Sequence, residues 1–132
     1  MNILIIEDDP VSLKLASEVL QTGGHIVMLA TSADQAVASI KAVKPDVILL
    51  DLRLPGIKGL GVARQCREEP ATLDTPIIAV TGFPDEFGRE AAIRAGCDAY
   101  ITKPINTRTL LGDIESVVSA SAAKLSAWRR EL

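Results

Sequence analysis

Residues 46–56 read Asp46-Val47-Ile48-Leu49-Leu50-Asp51-Leu52-Arg53-Leu54-Pro55-Gly56. The apolar run Val47 to Leu50 has no alternation, which is the pattern of a strand buried on both faces, the usual condition in a parallel sheet. Pro55-Gly56 is the expected stop. Asp51 follows the run directly and is therefore carried to the carboxyl end of its strand, the edge at which open α/β sheets build their sites. A single acid there is equally an ordinary turn starter. Its weight depends on what else the chain brings to the same edge.

The pattern repeats on either side. Asn2 to Ile6 is a short apolar strand; Asp9 is a good N-cap and Pro10 suits the first helical position, where its missing N–H has no partner to lose. Val11, Leu15, Ala16, Val19 and Leu20 follow at helical spacing until Gly23-Gly24. His25 to Leu29 reads as a second strand. Thr31 or Ser32 caps a helix with the stripe Ala33, Ala36, Val37 and Ile40, which stops before Pro45. After the Asp51 strand a helix is expected from about Gly59 to Arg67, although Gly59 and Gly61 weaken its start by about 1 kcal/mol each relative to Ala. Pro76 to Val80 is a fourth buried strand ending at Thr81-Gly82. Pro84-Asp85 are expected to open a helix that Ala95-Gly96 closes. Asp98 to Thr102 is a fifth strand ending at Lys103-Pro104, and Asn106 can cap a last helix bearing Leu110, Leu111, Ile114, Val117 and Val118.

Strand and helix thus alternate five times, which predicts an α/β fold with a parallel sheet covered on both faces by right-handed crossovers. Residues 1–118 account for one domain. Residues 119–132 exceed it and read as a helical extension or tail, a fraying continuation of the last helix; packing against a partner or a second copy is the alternative.

The bulk numbers agree with one small domain. A chain of 132 residues has room for a single core, and 48% apolar content excludes disorder. No apolar run approaches the roughly 20 residues that span a bilayer, and no secretory signal opens the chain, so no membrane association and a cytoplasmic location are expected. Cys66 and Cys97 lack metal spacing and read as reduced, buried thiols. The single histidine, His25, reads as structural. A net charge of −3, without a basic stripe among its one Trp, one Tyr and two Phe, argues against direct nucleic-acid binding.

With strand order 2-1-3-4-5, the residues after strands one, three, four and five share a crevice: Glu7 and Asp8, Asp51, Thr81 and Lys103. Three carboxylates cannot converge without a cation, since two unit charges 4 Å apart repel by about 4 kcal/mol even at an effective dielectric of 20. Oxygen donors in small number, with no Cys or His cluster, suit Mg²⁺ rather than zinc. With that charge neutralised, Asp51 can act as a nucleophile toward phosphorus and form an acyl phosphate. Lys103 suits one phosphoryl oxygen and the Thr81 hydroxyl another.

The segments Ile5-Ile6-Glu7-Asp8-Asp9, Asp51 to Gly56, Val80-Thr81-Gly82 and Tyr100-Ile101-Thr102-Lys103-Pro104-Ile105 resemble the receiver domain of bacterial two-component response regulators, from residue 2 to about 118. The resemblance implies a flavodoxin-like (βα)5 fold. It also implies that Asp51 accepts phosphate from a phosphohistidine on a sensor histidine kinase or histidine phosphotransfer protein. By the same analogy Glu7, Asp8, Asp51 and the backbone carbonyl of Arg53 hold Mg²⁺. Thr81 and Tyr100 form the switch pair, which re-shapes the face of the fourth helix, fifth strand and fifth helix for a downstream protein target. A homodimer through that face is an open alternative. Lys103-Pro104 matches a peptide bond that is usually cis in the family. The chemistry implied is self-phosphorylation and autodephosphorylation rather than turnover of an external substrate.

Three features depart from the pattern. Lys58 stands where the family often has an acid. Arg53 and Phe83 occupy positions that tune the lifetime of the phosphorylated state, and a long cation with a bulky ring is expected to slow hydrolysis. No output domain follows residue 118, so the chain reads as a single-domain regulator or as a receiver cut from a longer one. A flavin or nucleotide module would need a phosphate cradle where Glu7-Asp8-Asp9 stands. An aspartyl phosphatase would need a carboxylate where Arg53 stands, and a cap insertion.

Overall fold

The computed structural model describes residues 1–54, 59–86 and 88–131. The elements alternate as β1 (Asn2–Ile6), α1 (Pro10–Thr22), β2 (Ile26–Ala30), α2 (Ala33–Ala42), β3 (Val47–Asp51), α3 (Gly59–Glu68), β4 (Ile77–Thr81), α4 (Arg89–Ala95), β5 (Ala99–Thr102) and α5 (Leu110–Glu131). The strands form one parallel sheet in the order β2-β1-β3-β4-β5, the flavodoxin-like arrangement.

The unalternating runs are explained by a core on each face of this sheet. Side chains along a strand point alternately up and down. Leu4, Ile6, Ile48, Leu50, Ile77 and Ala79 therefore pack with Ala36, Val62, Cys66, Ala92 and Ala95 of the helices on one side. Ile3, Ile5, Val47, Leu49, Ile78 and Val80 meet Ala16, Leu20, Leu110 and Ile114 of α1 and α5 on the other. All five residues of β3 and all five of β4 are buried.

Local chemistry sets most boundaries. The Asp9 carboxylate accepts hydrogen bonds from Ser12 N–H at 3.1 Å and Ser12 Oγ–H at 2.7 Å, and Pro10 occupies the first helical position. Ser32 caps α2 by accepting from Gln35 N–H, while Gln35 Oε1 accepts from Thr31 N–H at 2.9 Å, a close variant of the capping box. His25 is half-buried and its Nδ1 lies 3.0 Å from the terminal amine of Met1.

Several boundaries differ from the sequence reading. Strands β2 and β4 each lie one residue later, at Ile26–Ala30 and Ile77–Thr81, and β5 starts at Ala99. Helix α4 starts at Arg89, not at Pro84. Pro84-Asp85 instead forms the centre of a turn closed by Glu86 N–H to Phe83 C=O at 3.1 Å, with Pro at the position where its fixed φ is favoured. Residues 107–109 form a turn before α5: Asn106 Oδ1 accepts from Arg108 N–H, and its carbonyl accepts from Leu110 N–H, so it caps the turn rather than the helix. Helix α5 then continues to Glu131, well beyond the sheet-covering residues Leu110 and Ile114. The expected stop at Pro55-Gly56, Lys58, and the side chains of Trp128 and Arg129 lie outside the described residues.

At the amino edge of the sheet Arg67 joins three segments. Its guanidinium donates to the carbonyls of Gly96, Thr72, Leu73 and Thr75 and pairs with Asp98 at 2.8 Å. Gly96 ends α4 at φ +113°, and a Cβ there would also meet Arg67 Cγ at 2.6 Å. Cys66 and Cys97 are free, buried thiols; burial raises both pKa values, that of Cys97 to about 12. Among the described residues no helix is long and apolar enough to cross a membrane.

Candidate functional site

The carboxyl ends of β1, β3, β4 and β5 meet at a cleft of about 520 Å³ lined by Asp8, Asp9, Ser12, Asp51, Arg53, Leu54, Phe83 and Lys103. Alternation along the strands explains the convergence. Glu7 follows Ile3 and Ile5, and Asp51 follows Val47 and Leu49, so both acids stand on the α1–α5 side of adjacent strands. Both are buried, whereas Asp8 is exposed at the mouth. One carboxylate oxygen from each of Glu7, Asp8 and Asp51 lies within 4.8 Å of the others.

The electrostatics are those of a cation site. Burial, reinforced by Glu7, pushes the Asp51 pKa up to about 7. Asp51 Oδ1 accepts a hydrogen bond from Arg53 N–H at 3.1 Å, which opposes that rise. Lys103 Nζ pairs with Glu7 Oε1 and lies 3.7 Å from Asp51 Oδ2. Burial disfavours the Lys103 ammonium, but these two carboxylates more than compensate and hold its pKa above the ordinary lysine value. Glu7 Oε2 is buried without a hydrogen-bond partner, a costly state for a carboxylate oxygen unless a cation approaches it. An oxygen-only donor set with one orphan suits Mg²⁺. The residues present fit the ion.

Thr81 is fully buried at the end of β4; its Oγ1 accepts from Phe83 N–H at 3.0 Å, and its carbonyl accepts from Lys103 N–H at 2.7 Å. The Lys103-Pro104 peptide bond is cis. Tyr100, the other member of the expected switch pair, sits on β5: it pairs with Ala79, is half-buried, and packs against the core on the α2–α4 side. Burial and the nearby Asp85 charge raise its phenol pKa.

Two features had not been read in the sequence. The Arg53 guanidinium carbon stands 4.1 Å from the centroid of the Phe83 ring, a contact between residues of different loops. Gly59 N–H donates to Leu52 C=O, and a Cβ on Gly59 would sit 2.4 Å from the Asp51 carbonyl oxygen and 2.6 Å from Leu52 Cα. The glycine that weakens the helix thus permits its first turn to close on the backbone of Asp51. A helix-weakening residue at the start of a helix just after a strand-end acid was the signal available.

A parallel sheet of this order with an acidic cleft at its carboxyl edge defines a receiver-type signalling domain. The model of the response regulator receiver domain matches residues 3–115, and the chain belongs to that family. Its members are signalling proteins, not turnover enzymes acting on an external substrate. Protein PilH of Pseudomonas aeruginosa is 34% identical over 89% of this chain and 97% of its own length. The phosphate regulon transcriptional regulatory protein PhoB of the same organism is 35% identical over 88% of this chain, which spans about half (51%) of PhoB. Among solved structures, the receiver domain of the sensor histidine kinase PA1611 of P. aeruginosa, with a magnesium ion coordinated in its active-site cleft, is 31% identical at a TM-score of 0.82, covering 89% of this chain and 97% of that one. NtrX from Brucella abortus covers 99% of this chain, and 30% of its own, at a TM-score of 0.89 and 26% identity.

Proposed function

We propose that this chain is the phosphoacceptor of a two-component or phosphorelay pathway. Asp51 takes a phosphoryl group from a phosphohistidine on a sensor histidine kinase or histidine phosphotransfer protein, and the modified protein binds a downstream protein target in the cytoplasm. The convergence of the Glu7, Asp8 and Asp51 carboxylates with Lys103, at the sheet edge where β4 ends in Thr81, with a buried Glu7 oxygen left unpaired, carries this reading.

In the proposed transfer Asp51 Oδ2, the oxygen beside Lys103, attacks phosphorus as the P–N bond of the phosphohistidine breaks. The imidazole leaves with the bonding pair and takes a proton from solvent, and Asp51 becomes an acyl phosphate. Glu7, Asp8, Asp51 and the Arg53 backbone carbonyl would hold Mg²⁺, which would neutralise the acids and draw charge from the phosphoryl oxygens. Lys103 holds one phosphoryl oxygen as a point charge. Thr81 Oγ1 already accepts from Phe83 N–H, so its own proton is available to donate to another oxygen. Arg53 and Phe83, a long cation and a bulky ring that both line the cleft, shield the acyl phosphate from water and slow its hydrolysis.

The response follows from the switch pair: Thr81 moves onto the phosphoryl group, the Tyr100 ring turns inward, and the α4-β5-α5 face changes shape. Docking of the donor is supported by Val11 and Leu15, 75% and 41% exposed on the outward side of α1, next to Ser12 at the cleft mouth. Residues 1–118 form the receiver and 119–132 an extension of α5. The reading holds equally for a stand-alone regulator resembling PilH and for a receiver within a longer protein, as in PhoB or NtrX.

Intact mass after incubation with a small acyl-phosphate donor tests the chemistry. One added phosphoryl group that requires both Mg²⁺ and Asp51 is expected; equal labelling of Asp51→Asn, or labelling indifferent to Mg²⁺, contradicts it.

A further inference from the structure

The cleft contains two cationic side chains in different situations. Lys103 is committed to carboxylates, paired with Glu7 and 3.7 Å from Asp51. Arg53 lines the same cleft, yet among the described residues its guanidinium takes part in no ion pair and rests instead on the Phe83 ring.

Counting charge explains why a cation is held in reserve. Glu7, Asp8 and Asp51 together carry three negative charges, which a divalent cation and Lys103 would balance; Asp9, the fourth acid of the lining, is exposed and its carboxylate is taken up by Ser12. Phosphorylation replaces the single charge of Asp51 by roughly two. About one negative charge is then uncompensated in a partly buried cleft, where screening is weak. Arg53 is the remaining cation among the described lining residues. Its planar fork matches phosphoryl oxygens, and that charge-assisted attraction exceeds a cation–π contact at an exposed ring. Its backbone is already pinned by the hydrogen bond to Asp51 Oδ1, so only the side chain has to move.

We propose that Arg53 is a conditional phosphoryl ligand, stored on Phe83 in the unmodified protein and transferred from the ring to the phosphoryl oxygens once Asp51 is phosphorylated. This rests on the phosphoacceptor reading above. It adds an output: the Phe83 ring, 45% exposed with its cation in place, loses that cation, and its N–H is bonded to the switch hydroxyl of Thr81. Phosphorylation is therefore reported at the β4–α4 loop by exchange of one side chain.

Beryllofluoride with saturating Mg²⁺ serves as the phosphoryl mimic, its binding followed by ¹⁹F NMR and Arg53 followed by ¹H NMR. In the parent protein the Arg53 δ-methylene protons resonate upfield under the Phe83 ring, and they move to ordinary positions when the mimic saturates the site. Arg53→Met is expected to bind the mimic about tenfold more weakly, the order of one charge-assisted contact. Phe83→Leu is expected to bind it at least as tightly as the parent, because the ring stores the cation and holds no ligand. Arg53 protons that stay upfield in the saturated complex, or unchanged affinity in Arg53→Met, overturn the proposal while leaving the phosphoacceptor reading intact. A parent protein that does not bind the mimic, or Asp51→Asn that binds it equally, overturns that reading and this proposal with it.

Discussion

At the scale of single residues Asp51 is held in conflict. The proposed reaction needs it ionised, yet burial and Glu7 raise its pKa to about 7. An unfolded aspartate titrates near 3.9. The folded protein therefore holds a proton that the unfolded chain has already released, and the stability this contributes is present below about pH 4 and lost as pH rises through about 7. Urea melts without divalent ions are expected to show lower stability at pH 8 than at pH 5.5, by on the order of 1 kcal/mol once solvent screening in the open cleft is counted. Mg²⁺ at pH 8 should recover it, and Asp51→Asn should remove this component. Parallel pH profiles for the parent and Asp51→Asn are the contrary result. Residue identities at strand ends were legible in the sequence because an uninterrupted apolar run announces where its strand stops. The stacking of Arg53 on Phe83 was not, because it joins two loops distant in sequence through the conformers of two side chains.

At the scale of elements, Gly59 shows how propensity and packing disagree. In an isolated helix Gly59→Ala would add about 1 kcal/mol of stability. Here the new methyl group would enter the backbone of Asp51 and Leu52, where no flexible side chain can yield. The substitution is expected to destabilise by about 1–3 kcal/mol, read as a lower urea midpoint at unchanged slope, and to reduce acyl-phosphate labelling of Asp51. A raised midpoint would show that the first turn of α3 withdraws freely from β3. The same tension placed the start of α4 wrongly in the sequence reading. Pro84-Asp85 serves a turn as well as a helix start, and the choice was made by the route from the end of β4 to the helix rather than by the dipeptide.

At the scale of the whole molecule, the two cores are closed by residues up to Ile114, with Val117 and Val118 packed at their margin. Residues beyond them extend α5 with partly or fully exposed side chains wherever these are described. Deleting residues 119–132 is expected to cost less than about 1 kcal/mol and to leave Asp51 labelling unchanged, since surface segments away from a core contribute little. A large cooperative loss on thermal or urea unfolding would assign the extension to the fold itself.

The alternation of buried runs and helical stripes was sufficient to specify a parallel α/β sheet, its two covered faces and the five polar residues at its carboxyl edge, because burial periodicity is a local property of the chain. Which strands are neighbours, and hence that the ends of β1, β3, β4 and β5 meet at one cleft while Tyr100 lies outside it, was settled by the sheet order β2-β1-β3-β4-β5. The unpaired Glu7 oxygen, the raised pKa of Asp51 and the resting place of Arg53 likewise exist only in the folded protein. Each depends on burial and on distances between segments far apart in the chain, which no local pattern encodes.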